Sequence, residues 1–238
     1  MGEIAIIVAA GKGERMRPLT LTTPKPLIQV RGISMIETVI AGLRRRGVQK
    51  IYVVVGYLKE KFQTLAQKYP QVTLIENTEC TYKNNISSIH AVAELMGKTD
   101  CIMCDGDLYV SDPSIFDVQS AYSCGFGKLY EGQTDEWVYH QKNGRVTSIG
   151  PGGCNEHTMA GITFLKKEDA KIIADAVLEA YQYPGHEQLF WDNILDQNLD
   201  KIHLIINPVQ ENQIVELDSV AELQAYDPSY RDAEGIAL

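Results

Sequence analysis

The chain lacks the features of a disulfide-rich, membrane-spanning or secreted protein. Its 238 residues contain only five cysteines, an odd number scattered along the sequence. A chain of this length can bury a large core without disulfides, so scattered cysteines predict a reducing compartment and a cytoplasmic location. No apolar run approaches the ~20 residues that a membrane helix needs, and no cationic leader precedes the short N-terminal run, so we expect neither a membrane span nor a signal peptide.

Positive charge is also scarce, since 22 lysines and arginines face 31 aspartates and glutamates, for a net charge of -9. Proteins that bind nucleic acids usually carry a broad basic surface, so we do not expect a nucleic-acid partner. Arg44, Arg45 and Arg46 are interpreted as the solvated end of a helix. The other conspicuous cations lie in the stretch VAAGKGERMRPLTLTTPKPL at residues 8–27: Lys12, Arg15, Arg17 and Lys25.

Several common motifs are excluded by inspection. Cys101 and Cys104 form a C-x-x-C pair, but strand alternation predicts that they point to opposite faces, and no second pair follows, so we expect no zinc or redox site. A dinucleotide fingerprint needs a glycine where Met16 stands. A P-loop ending at Gly97-Lys98-Thr99 needs one where Val92 stands. A loop with Gly11 and Gly13 can still bring backbone N–H groups to a phosphate.

Strand and helix patterns alternate in the first half of the chain. Helices are predicted at 34–46, 58–68 and 86–96, the first from the capping box of Ser34 and Glu37. Apolar runs typical of strands buried on both faces separate them, at 3–8, 50–55, 72–76 and 100–104. This order predicts a parallel sheet with ligands bound at the carboxyl ends of its strands.

The second half is rich in β-strand patterns. Strands are predicted at 122–130, 136–141, 145–149 and 159–165, with Lys142-Asn143-Gly144 as a hairpin turn. Helices at 167–181 and 187–197 and strands at 202–206 and 213–217 follow. Length permits one domain or two; with no linker in sight we expect a single domain 1–238, with a nucleotide-binding half of about 1–110, an acceptor-binding half of about 111–227 and a flexible tail at 228–238.

The pattern A-A-G-x-G-x-R-M-x-P followed by T-P-K-P-L resembles the signature of nucleotidyltransferases, which transfer a nucleoside monophosphate from an NTP to a phosphorylated small molecule. The resemblance implies an α/β fold, with a Rossmann-like mixed, mainly parallel sheet flanked by helices and a β-rich acceptor-binding part. It also implies that the glycine loop wraps the triphosphate. Arg15 and Lys25 then correspond to the catalytic cations around the reacting phosphorus.

The chemistry of this family explains the choice of residues. A phosphate monoester is already ionised at pH 7, so the obstacle to its attack on an NTP is repulsion between anions, which cations and Mg²⁺ relieve. The resemblance implies that Asp107 binds Mg²⁺, with Asp105 as the fallback. Because Mg²⁺ takes one or two carboxylates besides phosphate oxygens and water, a second is expected, and Asp192 in the segment FWDN supplies it.

The nucleotide pocket is expected around the glycine loop, the end of the second strand and the start of a helix. Asn85 and its neighbours fit an N-cap of that helix equally well, and the two roles are compatible. The predicted nucleotide-binding residues are Ala9, Ala10, Gly11, Lys12, Gly13, Gly56, Asn84, Asn85, Ser87, Ser88 and Asp105.

Later segments narrow the resemblance to bacterial CTP:phosphocholine cytidylyltransferases, which make CDP-choline. They are FWDN at 190–193, the acidic pair before Trp137, and VELDSV at 215–220. A trimethylammonium group cannot donate hydrogen bonds and is recognised by aromatic faces and nearby carboxylates. The resemblance therefore implies CTP and phosphocholine as substrates and the following acceptor-binding residues: Tyr82, Trp137, Tyr183, Phe190, Trp191 and Glu216.

Three alternatives stay open at this point. The first is cytidylyl transfer to 2-aminoethylphosphonate, whose primary ammonium favours hydrogen-bonding oxygens over an aromatic cage. The second is a sugar-1-phosphate nucleotidyltransferase, which would need polar side chains where aromatics stand. The third is a non-catalytic nucleotide-binding regulatory module, which the presence of the expected cations and aspartates disfavours. The sequence also leaves open a homodimer or fusion to a further domain.

Overall fold

The computed structural model describes residues 2–231, so most of the predicted tail at 228–238 lies outside the described residues. The strands are β1 (Ile4–Ala9), β2 (Gln29–Val30), β3 (Ile33–Ser34), β4 (Lys50–Val55), β5 (Val72–Glu76), β6 (Cys101–Asp105), β7 (Leu108–Val110), β8 (Ser123–Leu129), β9 (Gln133–Lys142), β10 (Arg145–Cys154), β11 (His157–Leu165), β12 (Leu204–Val209) and β13 (Ile214–Glu216). The α-helices are α1 (Met35–Arg45), α2 (Gln63–Lys68), α3 (Ile86–His90), α4 (Lys167–Ala180), α5 (Trp191–Gln197) and α6 (Val220–Tyr226).

The four strands predicted in the first half form the parallel part of the main sheet. Their spatial order is β5, β4, β1, β6, with Ile4 of β1 aligned to Lys50 of β4 on one side and Cys101 of β6 on the other. Most of their residues are buried because helices and the second half of the chain cover both faces. Their carboxyl ends meet at one edge, where the glycine loop follows β1.

The second half extends this sheet with antiparallel pairings, except that β12 runs parallel to β8. β11 pairs with β6, and β8 and β9 pair with β11. β10 and β12 complete the nine strands through β9 and β8. The hairpin between β9 and β10 turns at Asn143 and Gly144, whose φ angles of 53° and 77° suit a two-residue turn. The predicted fold class, a mixed α/β sheet flanked by helices, is confirmed.

Several element ends differ from the prediction. The segment 58–68 begins as a 3₁₀ turn, and α2 starts at Gln63. α3 ends at His90 instead of continuing to residue 96. α5 starts at Trp191, because a separate 3₁₀ turn at His186–Gln188 is followed by the extended residues Leu189 and Phe190. The short strands β2, β3 and β7 and the helix α6 were not predicted, since they are too short to show a period.

The core lies on both faces of the sheet. One apolar cluster packs α1 and α2 against it, and a second packs α3, α4 and α5 against the other face. Cys104 belongs to the first cluster and Cys101 to the second, so the predicted opposite orientation of this pair is confirmed. Within residues 2–231, every helix is too short or too polar to cross a bilayer.

Arg46 corrects the interpretation of the arginine run as a solvated helix end. Its side chain is only 5% exposed and binds the carboxylate of Glu3, with Nε 2.6 Å from Oε2. One of its guanidinium nitrogens also donates to the carbonyl oxygens of Phe116, at 2.7 Å, and Val118. This arginine therefore ties the end of α1 to the start of β1 and to the loop that follows β7.

Candidate active site

A cleft with two lobes opens at the carboxyl edge of the parallel strands. We call its cavity of about 520 Å³ the glycine lobe, because the loop with Gly11 and Gly13 lines it. We call the cavity of about 370 Å³ the tryptophan lobe, because Trp137 and Trp191 line it. The two lobes meet at five residues that line both: Arg15, Lys25, Asp105, Asp107 and Phe190.

The glycine lobe brings together most of the predicted nucleotide-binding residues. Those that line it are Ala9, Ala10, Gly11, Gly13, Asn84, Asn85, Ser87, Ser88 and Asp105. Gly13 has a φ of 60°, and a Cβ there would lie 2.9 Å from the Cβ of Lys25. The loop can therefore fold back onto Lys25 only because residue 13 has no side chain.

Lys12 and Gly56 were also predicted here, but neither lines the lobe. The side chain of Lys12 is exposed. Gly56 lies behind the loop, where an added Cβ would be 2.3 Å from the Sγ of Cys80 and 3.1 Å from the Cβ of Ala10. Gly56 thus supports the loop from behind, because close packing leaves no room for a side chain.

The floor of the glycine lobe contains polar groups that the sequence did not single out. Asn77 is buried, and its Nδ2 donates to the hydroxyl oxygens of Ser87 at 2.9 Å and Ser88 at 3.0 Å. The predicted N-cap role of Asn85 is not seen, since its side chain does not cap α3. Cys80 and Lys83 line the same lobe. Being isolated polar residues between elements, they show no pattern that would have identified them.

Lys25 stands at the junction of the lobes between two carboxylates. Its Nζ is 2.7 Å from Oδ2 of Asp107 and 2.6 Å from Oδ1 of Asp218, and Lys25 is 7% exposed. Burial works to lower the pKa of this ammonium, but the two carboxylates outweigh it and raise the pKa, so the group stays charged. Arg15 approaches the same Asp218 at 3.2 Å. Asp218 was not predicted, although it lies in the segment VELDSV.

Oxygen donors at this junction fit a divalent cation. Asp107 and Asp218 already share one positive charge, and hard Mg²⁺ takes one or two carboxylates plus phosphate oxygens and water. Within residues 2–231, no three acidic, histidine or cysteine side chains form a complete metal cage, so phosphates would have to supply the remaining ligands. Asp107 and the predicted second ligand Asp192 line the same lobe, and Asp218 is a further carboxylate there that could hold such an ion with Asp107.

Asp192 lines the tryptophan lobe and is partly buried. Desolvation raises the pKa of its carboxyl group to about 7, and it forms no ion pair with any of residues 2–231. Asp105, which lines both lobes, is also partly buried, and desolvation followed by the charges of Asp107 and Asp192 raises its pKa well above the usual range. These carboxyl groups are poised to accept a cation from a ligand.

The tryptophan lobe combines aromatic rings with acidic groups. Trp137, Phe190, Trp191 and Glu216 line it as predicted. The rings of Trp137 and Phe190 are 6.2 Å apart between centroids, at an interplanar angle of 65°. Five acidic residues stand against two cations in this lining: Asp105, Asp107, Asp192, Glu216 and Asp218 against Arg15 and Lys25. An acceptor with a cationic end would suit this charge.

Tyr82 and Tyr183 were predicted to bind the acceptor, but they line neither lobe. Their exposed fractions are 64% and 61%, so both rings lie on the surface. Tyr82 sits in the turn that follows Cys80, and Tyr183 follows the end of α4. Aromatic residues at turns can be solvated as easily as buried, and their position along the chain did not distinguish these cases.

Comparison with known proteins identifies the family. Residues 5–121 match the MobA-like NTP transferase domain. Over 227 residues, covering 95% of this chain and 92% of the relative, the chain is 48% identical to the 2-aminoethylphosphonate cytidylyltransferase of Lancefieldella rimae. The chain belongs to the cytidylyltransferases of this nucleotidyltransferase family. The nucleotidyltransferase class predicted from the opening motif is thereby confirmed.

Other relatives of this cytidylyltransferase agree on the family but differ in substrate. The choline-phosphate cytidylyltransferase of Streptococcus pneumoniae is 32% identical over 219 residues, which cover 92% of this chain and 94% of the relative. The solved structure of the CTP:phosphocholine cytidylyltransferase from that organism superimposes with a TM-score of 0.86 at 31% identity, covering 96% of this chain and 99% of that one. The similarity thus extends over both lobes.

Proposed function

We propose that this cytidylyltransferase transfers CMP from CTP to 2-aminoethylphosphonate. The observation that carries the proposal is the 48% identity over nearly the whole chain to an enzyme with that name, against 32% to the choline-phosphate enzyme of Streptococcus pneumoniae. The expectation of phosphocholine, formed from aromatic segments, becomes the second candidate.

The chemistry of the tryptophan lobe supports a primary ammonium. Such a group donates three hydrogen bonds and needs carboxylate oxygens, whereas a trimethylammonium group needs aromatic faces around it. Asp192 offers a partly buried carboxyl group without an ion-pair partner among residues 2–231. Trp191 is only 6% exposed and packs into the core, which leaves Trp137 and Phe190 as the principal aromatic walls.

The proposed reaction needs no protein nucleophile. The 2-aminoethylphosphonate dianion would attack the α-phosphorus of CTP, forming a new P–O–P bond as the bond to the β-phosphate oxygen breaks and pyrophosphate leaves. CTP would occupy the glycine lobe and the acceptor the tryptophan lobe, with Lys25 and Arg15 neutralising the anions where the lobes meet. Mg²⁺, held by Asp107 and Asp218, would supply further charge neutralisation at the phosphate oxygens.

Four acceptors separate the two chemical differences between the candidate substrates. They are 2-aminoethylphosphonate, phosphoethanolamine, phosphocholine and the trimethylated analogue of the phosphonate, each assayed with CTP and Mg²⁺ for pyrophosphate release. We expect kcat/KM to be at least about tenfold higher with the primary ammonium than with its trimethylated partner, which is about 1.4 kcal/mol of transition-state discrimination. A preference for both trimethylated acceptors would refute the proposal and favour phosphocholine.

Two substitutions test the recognition argument independently of the acceptor ranking. Asp192→Asn should reduce kcat/KM for primary ammonium acceptors more than for trimethylated ones, because the amide cannot neutralise an ammonium. Trp137→Ala should act in the opposite sense, because it removes an aromatic face. If kcat/KM falls equally with both acceptor types in both variants, the roles assigned to Asp192 and Trp137 are wrong.

A further inference from the structure

The segment between α4 and α5 reaches the junction of the two lobes at its last residue. We call residues 182–190 the bridge segment; it ends at Phe190, which lines both lobes. Asn84, on the glycine-lobe side, holds this segment in two places. Its backbone N–H donates to the carbonyl of Glu187 at 2.9 Å, and its Nδ2 donates to the carbonyl of Gln188 at 2.7 Å.

Asn85 connects the glycine lobe to the tryptophan lobe by a hydrogen bond. Its Oδ1 accepts a hydrogen bond from the backbone N–H of Trp191, at 2.8 Å. Trp191 is the first residue of α5, and the next residue is Asp192. One side chain that lines the glycine lobe therefore holds the backbone at the point where both Trp191 and Asp192 enter the tryptophan lobe.

The amide group of Asn85 can serve both lobes at once. A side-chain amide has one acceptor oxygen and two N–H donors. The oxygen is used by Trp191, and among residues 2–231 no hydrogen-bond acceptor occupies the donors. A nucleotide in the glycine lobe could engage those donors and so restrict the rotation of the amide, which would hold its oxygen on Trp191.

Other contacts keep the bridge segment folded without this bond. The ring of Tyr181 stacks on His90 of α3, with centroids 3.6 Å apart, and the ring of His186 lies 4.3 Å from Tyr181. Loss of the Asn85 side chain should therefore leave the fold intact, since a single hydrogen bond contributes only about 1 kcal/mol.

We propose that Asn85 is a positioning residue through which nucleotide binding in the glycine lobe orders the acceptor site in the tryptophan lobe. Only the name of the acceptor rests on the function proposed above. The two ligands then bind cooperatively, and thermodynamic linkage requires that each raises the affinity for the other by the same factor.

That coupling factor is the quantity to measure. Calorimetric titrations with Mg²⁺, the non-reactive analogue α,β-methylene-CTP and 2-aminoethylphosphonate, each ligand with and without the other, give it directly. We expect a factor of at least about five in the natural protein. It should fall below about two both in Asn85→Ala and in Asn85→Asp, because a carboxylate keeps an oxygen for Trp191 but has no N–H donor for the nucleotide. The matched control Asn212→Ala, at an exposed position, should retain it.

A ratio of affinities separates positioning from direct contact. A purely nucleotide-binding role would weaken analogue binding equally with and without the acceptor, so an undiminished coupling factor in Asn85→Ala would overturn the proposal. A factor near one in the natural protein, or its retention in Asn85→Asp, would also overturn it.

Tryptophan fluorescence distinguishes a failure of this proposal from a failure of the proposed acceptor. The chain has only two tryptophans, so the Trp137→Phe variant reports on Trp191 alone. Adding the CTP analogue without acceptor should change Trp191 emission, and the further change Asn85→Ala should abolish that response. If 2-aminoethylphosphonate does not bind but the Asn85-dependent response persists, the assigned acceptor is wrong and the coupling stands. No response of Trp191 to the analogue would refute the coupling.

Discussion

Replacing Lys25 by methionine removes the ammonium that two carboxylates share. Methionine has a similar length, so the main change is the loss of one positive charge between Asp107 and Asp218. Because both acidic oxygens lie within 2.7 Å of the same nitrogen, they are no more than about 5 Å apart. In Lys25→Met these two negative charges face each other with only the exposed guanidinium of Arg15, 3.2 Å from Asp218, beside them.

The size of the effect follows from this distance. The side chains of Asp107 and Asp218 are 37% and 35% exposed, so an effective dielectric constant of about 20 applies, and two charges about 5 Å apart repel by about 3 kcal/mol. For a chain of this size, about 3 kcal/mol lowers Tm by about 6–12 °C. Turnover should fall by about 10²–10³-fold, as when one charge-stabilising group is removed.

Mg²⁺ should raise the Tm of Lys25→Met much more than the Tm of the natural protein. In the natural protein Lys25 competes for the carboxylate pair, so Mg²⁺ without nucleotide should raise Tm little. In Lys25→Met the pair is free to bind the ion, and an ion at a hundred times its Kd contributes about 2.7 kcal/mol, which would restore most of the lost stability. The assay is a thermal melt with increasing MgCl₂, with KCl at equal ionic strength as the reference.

A matched control removes the same charge elsewhere. Lys171 forms an exposed ion pair with Asp175 on α4. Lys171→Met should therefore change the free energy of unfolding by less than about 1 kcal/mol, and Mg²⁺ should not raise its Tm beyond the KCl reference. The double variant Lys25→Met with Asp218→Asn should lose the Mg²⁺ response as well. If Lys25→Met is destabilised but Mg²⁺ does not raise its Tm beyond the KCl reference, the assignment of Asp107 and Asp218 as a cation-binding pair is wrong.

Two further predictions concern the loop support and acid stability. Gly56→Ala should raise the KM for CTP about tenfold, because the new methyl group displaces Cys80 or Ala10 behind the glycine loop, while Gly150→Ala, at an open position, should leave kinetics unchanged; equal KM values would contradict the support role. Burial works to raise the pKa of Glu37, but hydrogen bonds from Lys68, Ser34 and Tyr69 outweigh it and lower the pKa to about 2 from an ordinary 4.5. Its stabilising contribution is therefore complete above about pH 5 and lost as the pH falls from 4.5 toward 2, so the Tm difference between the natural protein and Glu37→Gln should shrink over that range, and a constant difference would refute the assignment.

The parts of the site that are local in sequence could be predicted from it. The glycine loop, Arg15 and Lys25 lie within one short stretch after β1, and parallel strand order predicts that this stretch meets the end of β6 at Asp105 and Asp107. The structure places Arg15, Lys25, Asp105 and Asp107 at the junction of the lobes, and the glycine loop lines the glycine lobe beside them. Strand periodicity and the direction of the chain were sufficient to predict that these two segments meet.

The parts that depend on long-range contacts could not be predicted. Asp218 reaches Lys25 across 193 residues of sequence, through the pairing of β13 with β7, which are both only three residues long and show no clear period. Gly56 was assigned to ligand binding although its small size is needed for packing against Cys80 and Ala10. A glycine at a strand end has the same sequence pattern in both cases, so only coordinates separate them.

The choice of acceptor illustrates the same limit at the level of chemistry. Aromatic residues in the later segments favoured a quaternary ammonium, but whether a ring can serve as a cage wall depends on its exposure, and Trp191 is largely buried in the core while Tyr82 and Tyr183 lie on the surface. Carboxylates favour the other acceptor: Asp192 is partly desolvated and has no ion-pair partner among residues 2–231, and a primary ammonium with its hydrogen bonds compensates that desolvation better than a methylated one. The acceptor preference of this lobe thus depends on which of its polar side chains have no partner in the folded protein.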